Sequence, residues 1–191
     1  MLAIDLMMIG LLIFSVILLT GVKIMIKNKY IKSIIFLLIM YAPFSNLIEG
    51  YMLGEFSITF IIISIIVILL IFWWGYKSNK HIYSIHNAKQ KDIINIIESY
   101  LELKNIKYET TEPDIYLTEL CKTIHIDSYT EINLDCRDIK DLDFYNELVE
   151  NVRLKIKKIK GSRISLEGLF YLAGFGIVYW IRGSFLVGFI K

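Results

Sequence analysis

The chain has few of the residues that mark metal sites, disulfide scaffolds and common enzymes. It contains only two cysteines and three histidines. Cys121 and Cys136 form no C-x-x-C pair and have no paired histidines at zinc-binding spacing, which argues against a metal site. The three histidines are His81, His86 and His125. We find no nucleophile–base pair and no glycine-rich phosphate loop, so the sequence predicts neither an enzyme nor a cofactor.

Charge is missing from the middle of three long apolar runs in the first 75 residues. Leu2–Val22, Ile34–Leu53 and Phe56–Trp74 each approach the roughly 20 apolar residues that cross about 30 Å of hydrocarbon. A fourth run, Ile164–Ile190, has the length but contains two charged residues. The hydrophobic fraction of 55% and the mean hydropathy of +0.55 exceed those of an ordinary soluble domain. The sequence therefore predicts a polytopic α-helical membrane protein with four spans.

The first run lacks the features of a cleavable signal peptide. No basic residues precede it, Asp5 lies inside it, and it is longer than the 7–15 residues of a signal-peptide core. We expect it to be a retained span.

Lysines lie at alternate ends of these runs. The loop Lys23–Lys32 has four lysines and no acid, whereas Glu49–Glu55 has two acids and no base. Lys77 and Lys80 follow the third run. Because Lys and Arg collect in cytoplasmic loops, this pattern predicts both termini outside and the hydrophilic segment inside. A composition rich in Ile, Lys, Asn and Tyr, with two prolines, suggests a bacterial protein, and hence the inner membrane.

The runs divide the chain into three predicted parts. Residues 1–75 form a three-span region, 76–163 a cytoplasmic α+β domain, and 164–191 a C-terminal span with a short outer tail. Both cysteines lie in the middle part, where we expect reduced thiols because cytoplasmic disulfides are rare.

The hydrophilic segment has alternating and helical patterns. His81–Asn87 is predicted to be a strand, and Asn87 with Gln90 has capping-box spacing at the start of a helix that reaches about Lys104. Thr130–Cys136 alternates, with Ile132 and Leu134 on one face. Further extended segments and a turn are predicted at Ile106–Thr111, Glu112–Asp114, Ile115–Thr118 and Lys122–Asp127.

A second helix begins near Asp141 or Asp143 and ends by Gly161. Its apolar stripe has helical spacing and consists of Tyr145, Leu148, Val149, Val152, Ile156 and Ile159. The predicted order is β-α-β-β-β-α, in which the middle strands could be split further, with two helices on one face of a small antiparallel sheet. A ferredoxin-like shape is consistent with this order.

Basic residues cluster between the second helix and the last run. They are Arg153, Lys155, Lys157, Lys158, Lys160 and Arg163, with no acid among them. Such a cluster is either ordinary charge beside a span or a site for anionic lipid headgroups. Residues 76–163 carry 15 basic and 15 acidic side chains in total, so nucleic-acid binding is not predicted.

Two ionisable residues lie near the outer ends of the first and last runs. Asp5 and Arg182 are predicted to sit among headgroups or to form a structural ion pair, in which Glu49 or Glu55 could replace Asp5; a role in proton transport is the least favoured alternative. The last run also has small residues suited to close contact with another helix: Gly168, Ala173, Gly174 and Gly176.

Three functions remain after these exclusions. The first is a non-enzymatic integral membrane protein whose cytoplasmic module binds a partner protein, another copy of itself or the membrane surface. The alternative is a small oligomeric transporter or channel component, with Asn46, Ser64 and Thr59 as the candidate pore residues. The second alternative is a membrane enzyme that acts on lipid, for which only Glu49 and Glu55 cluster at one face.

Overall fold

The computed structural model describes residues 2–129, 131–159, 168–177 and 179. The chain forms two compact units: one combines Met1–Met25 with Ser84–Lys191, and the other is Ile26–Tyr83. The predicted boundaries at 75 and 163 concern placement in a membrane and stay predictions.

The helices and strands are numbered in chain order. They are α1 (Leu2–Leu19), β1 (Ile24–Lys27), α2 (Asn28–Met52), α3 (Ile58–Ser78), β2 (Ile82–His86), α4 (Gln90–Leu103), β3 (Tyr108–Thr111), β4 (Asp114–Leu117), β5 (Lys122–Ser128), β6 (Ile132–Asp135), α5 (Tyr145–Lys158) and α6 (Gly168–Ile177).

The second unit is built on a hairpin of two apolar helices, α2 and α3. Phe36 and Phe72 pack across the hairpin with ring centroids 5.4 Å apart. The Ser57 hydroxyl accepts a hydrogen bond from the backbone N–H of Phe60 and so caps the start of α3. By length and composition, both helices could cross a membrane. A core helix of a soluble protein would be buried, but neither 18-residue apolar window is buried here.

Four spans are not supported by the described residues. Among the described residues, the other two apolar helical stretches are Met8–Leu19 within α1 and Gly168–Ile177, and both are shorter than a span. One face of α1 is buried, at Met8, Ser15 and Leu18. The remainder of the predicted fourth run lies outside the described residues. The coarser prediction, long apolar helices combined with an antiparallel sheet and further helices, agrees with the structure.

The six strands form one sheet in the order β1-β2-β6-β5-β4-β3. Strands β3 to β6 pair antiparallel, with Ile115 opposite Ile124 and Ile126 opposite Leu134. These four side chains are fully buried, as are the inward residues of α4 and α5. The predicted alternation in β6 is confirmed, since Ile132 and Leu134 are buried and their neighbours are only partly so.

The strands differ from the predicted order at two places. Four strands separate α4 from α5, one for each predicted extended segment, because Glu112 and Pro113 form a two-residue turn between the paired residues Thr111 and Asp114. The strand β1, predicted as a loop between spans, joins the sheet beside β2. Its four residues show no alternation in burial, so periodicity could not have revealed it.

Candidate functional site

The C-terminal half of α5 presents a basic and partly apolar surface. The residues Leu148, Val152 and Ile156 point into the core. The opposite side is therefore exposed and carries Leu154, which is 51% exposed, beside Lys157 and Lys158 three and four residues on. We call this surface the α5 basic patch; it comprises Arg153, Leu154, Lys155, Lys157 and Lys158.

The lysines of the α5 basic patch have no acidic partners among the described residues. Arg153 donates to the Glu150 carboxylate over 3.2 Å, but Lys155, Lys157 and Lys158 form no ion pair with any residue that the structure describes. The other two predicted members, Lys160 and Arg163, lie outside the described residues. The described lysines therefore keep their charge available for an external anion.

Lys23 joins the end of α5 from a distant part of the sequence. Its Nζ donates to the backbone carbonyl of Ile159 over 3.0 Å. A cation at a helix C-terminus satisfies an otherwise free carbonyl and complements the helix dipole. Nothing in the local pattern around Lys23 predicts this contact, because 136 positions separate the two residues.

Asn87 links the sheet to the end of α1 and does not cap α4. Its Nδ2 donates to the carbonyls of Leu18 and Val22 at 2.9 and 2.8 Å. The predicted capping box is therefore wrong: Lys89 is the N-cap residue and makes no side-chain cap. The Gln90 side chain instead donates to the carbonyl of Ile126 over 2.8 Å.

The helices α1 and α6 pack closely at one small residue. The Ser15 hydroxyl donates to the carbonyl of Gly168 over 2.7 Å. A Cβ at Gly168 would lie 2.9 Å from the Leu19 side chain, so only glycine fits without displacement. Of the other small residues predicted to form a contact surface, Gly174 and Gly176 have no described atom within 4 Å of a Cβ position.

A polar cluster is buried where α1 meets the sheet. Ser84 and His86 on β2 are 0% and 1% exposed. The Glu131 carboxylate lies between them, with one oxygen 3.0 Å from the Ser84 hydroxyl and the other 3.5 Å from His86 Nε2. The ring of Phe14 packs edge-on against His86 at 5.6 Å.

The geometry of this cluster does not match that of a catalytic triad. In a triad the histidine lies between the hydroxyl and the carboxylate so that it can take the hydroxyl proton. Here the carboxylate lies between Ser84 and His86. The carboxylate accepts a hydrogen bond from the buried Ser84 hydroxyl, and Ser84 also contacts Asn133 on β6 at 3.2 Å, so these contacts join β2 to β6.

The remaining candidates are not brought together into a site. Cys121 is exposed and Cys136 is buried, both as free thiols, and burial raises the pKa of Cys136 above its ordinary value. His125 is exposed and lies 2.9 Å from the Asp114 carboxylate. Within the described ranges no group of three His, Cys, Asp or Glu side chains could hold a metal. The predicted ion pair between Asp5 and Arg182 stays a prediction, because Arg182 lies outside the described residues.

No protein-family model, curated protein or solved structure matches this chain. A functional interpretation therefore depends on the geometry of the chain itself.

Proposed function

We propose that this chain is a non-enzymatic integral membrane protein that holds its α+β module against an anionic membrane surface. The α2–α3 hairpin is the anchor, and the α5 basic patch is the part of the module that docks. A bacterial inner membrane with the module on the cytoplasmic side is the location that the lysine distribution favours.

The composition of the α5 basic patch carries this proposal. An exposed leucine beside lysines without acidic partners is typical of surfaces that bind at a lipid interface. Each lysine near an anionic leaflet contributes about 1 kcal/mol of attraction, and the apolar side chain of Leu154 can enter the acyl boundary. Neither feature alone would distinguish this patch from an ordinary solvated helix end.

The four-span topology belongs to the same proposal. The first and last apolar runs would form a second pair of spanning helices, with the N-terminus outside. The hydrogen bond from Ser15 to Gly168 supports such a pairing, because close approach at a small residue is a common way for helices to associate in lipid.

The docking proposal is tested on the full chain in lipid nanodiscs. Cys121 is replaced by serine, and an environment-sensitive fluorophore is attached at Leu154→Cys. We expect a blue-shifted emission in anionic phosphatidylglycerol and not in neutral phosphatidylcholine, because only the anionic surface draws the patch into the interface. Replacing Lys157 and Lys158 with glutamine should abolish the shift.

A matched control is available on the other helix of the module. Leu103 is 75% exposed at the end of α4, and the proposal gives it no role in docking. The same fluorophore at Leu103→Cys should emit equally in both lipids. Equal emission from the Leu154 probe in both lipids would contradict the proposal.

The oligomeric transporter or channel remains the second candidate function, favoured by one observation. Asn46 and Thr59 are exposed on the apolar hairpin, and neither side chain has a hydrogen bond to a described residue. A polar group that faces lipid is costly, so self-association would bury it. Native mass spectrometry of the detergent-solubilised chain tests this: an oligomer that Asn46→Leu dissociates would support it, and a monomer would exclude it.

A further inference from the structure

We propose that the lysine end of the α2–α3 hairpin is a binding site for the phosphate group of an anionic lipid. We call this site the hairpin lysine site; it comprises Lys29, Lys32, Tyr76, Lys77 and Asn79. The proposal rests on the membrane location of the hairpin proposed above. It concerns a different unit of the chain from the α5 basic patch.

Lys29 is the centre of the site and is held in place by aromatic groups. It is only 8% exposed. Its Nζ donates to the Tyr76 hydroxyl over 2.8 Å. The same atom lies 4.5 Å from the centroid of the Tyr76 ring and 4.9 Å from that of Tyr30, within the range of cation–π attraction. The ammonium is therefore positioned rather than free to sample solvent.

Two further lysines lie at the same end of the hairpin. The Nζ of Lys32 donates to Asn79 Oδ1 over 2.8 Å. Lys77 lies over the ring of Trp73 at 5.0 Å. Asn79 is 9% exposed, and its Nδ2 donates to the carbonyl of Gly75, which completes the end of α3.

The positive charge at this end is not neutralised within the unit. The only acids in Ile26–Tyr83 are Glu49 and Glu55, which lie at the opposite end of the hairpin. Twenty residues of α2 separate Lys29 from Glu49, which is about 30 Å at 1.5 Å per residue. An ammonium group has three N–H donors, and the partners of Lys29 and Lys32 are uncharged oxygen atoms of tyrosine and asparagine side chains.

A phosphate group meets these requirements better than a carboxylate or a neutral ligand. It offers several acceptor oxygens to the ammonium groups of Lys29 and Lys32, which are three residues apart on α2 and so lie on the same side of the helix. The apolar flank of the hairpin would accommodate the acyl chains. A lipid is thus favoured over soluble phosphate, which lacks that second contact.

The test is native mass spectrometry of the full chain in detergent, titrated with phosphatidylglycerol or with phosphatidylcholine. We expect preferential binding of the anionic lipid, since the choline cation would face the lysines. With each lysine contributing roughly fivefold, Lys29→Gln with Lys32→Gln should reduce phosphatidylglycerol affinity about 30-fold. Lys91→Gln with Lys140→Gln removes the same charge at two exposed lysines to which neither proposal assigns a role, and should leave this affinity unchanged.

Tyr76→Phe removes the hydrogen bond that positions Lys29 but keeps every charge. It therefore tests the site even if Lys29→Gln with Lys32→Gln fails to insert into the membrane. Loss of the phenolic acceptor releases Lys29, so affinity should fall several-fold. Equal affinity for the two lipids, or unchanged affinity in Tyr76→Phe and the double variant, would overturn the proposal. Displacement of bound lipid by about 10 mM inorganic phosphate would assign the site to a soluble anion and overturn the lipid assignment.

The two proposals fail in different ways. If alkaline carbonate extracts the chain from native membranes, the membrane anchor is wrong and both proposals fall. If the chain stays in the membrane and the Leu154 probe still distinguishes the two lipids, but Lys29→Gln with Lys32→Gln and Tyr76→Phe leave phosphatidylglycerol affinity unchanged, only the hairpin lysine site is wrong.

Discussion

Asn87 is the residue whose replacement tests most directly how the module is joined to the first apolar helix. It is 5% exposed, donates two hydrogen bonds to α1 and the residues after it, and has a left-handed backbone with φ of 61°. The asparagine therefore stabilises the fold in two ways: it donates two buried hydrogen bonds, and it tolerates a left-handed backbone. Substitutions that remove one or both of them should differ by a calculable amount.

The magnitudes follow from the geometry. Each buried hydrogen bond contributes about 0.5–1.5 kcal/mol net, so the pair contributes about 1–3 kcal/mol. A left-handed conformation costs a residue other than glycine or asparagine about 1 kcal/mol. We expect Asn87→Ala to lower the free energy of unfolding by about 2–4 kcal/mol. Asn87→Gly loses the hydrogen bonds but has no strain, and should lower it by about 1–3 kcal/mol.

Denaturant titration of the detergent-solubilised full chain, followed by circular dichroism, measures these differences. Asn105 provides the control, because it has φ of 56° but is exposed on the surface. Asn105→Ala should cost only the strain, about 1 kcal/mol. If Asn87→Ala costs no more than Asn105→Ala, the two hydrogen bonds to α1 do not stabilise the protein, and the reasoning is refuted.

Three other predictions concern separate parts of the chain. Gly168→Ala should lower the thermal unfolding midpoint, because overpacking costs about 1–3 kcal/mol; an unchanged midpoint would show that the α1–α6 contact is loose. The hydrogen bond from Lys104 lowers the pKa of Glu147, so the resulting stability is present above the ordinary carboxyl pKa and lost as pH falls through the lowered value. The difference in unfolding free energy between wild type and Lys104→Met should thus shrink in acid; a constant difference would contradict it. An impermeant maleimide should label Cys121 only after cells are permeabilised and should leave buried Cys136 unmodified; labelling of intact cells would invert the topology.

The structure agrees with the predicted positions of several helices and strands but not with the predicted capping box. Strand β2 and helices α4 and α5 lie within a few residues of their predicted positions, because their apolar spacing reports a single buried face. The capping box at Asn87 was wrong for a different reason. Its side chain had two possible sets of partners, and sequence spacing revealed only the local one. In the folded chain, Asn87 donates instead to the distant carbonyls of Leu18 and Val22.

The candidate site was likewise predictable only in part. The basic residues after Val152 could be identified from the sequence, but the exposure of Leu154 among them depends on which side of α5 the core covers. The tyrosines around Lys29 include one that is 47 positions away, and the sequence predicted only a lysine-rich loop there.

Apolar length, charge distribution and periodicity determined by themselves that this chain has long apolar helices and an α+β module, because these properties depend on neighbouring residues alone. The tertiary structure decided which polar groups meet: Lys23 at the end of α5, Glu131 between Ser84 and His86, and Asn87 at the end of α1. A hydrogen-bonding group accepts whichever partner the folded chain brings within about 3 Å, and that proximity has no signature in local sequence.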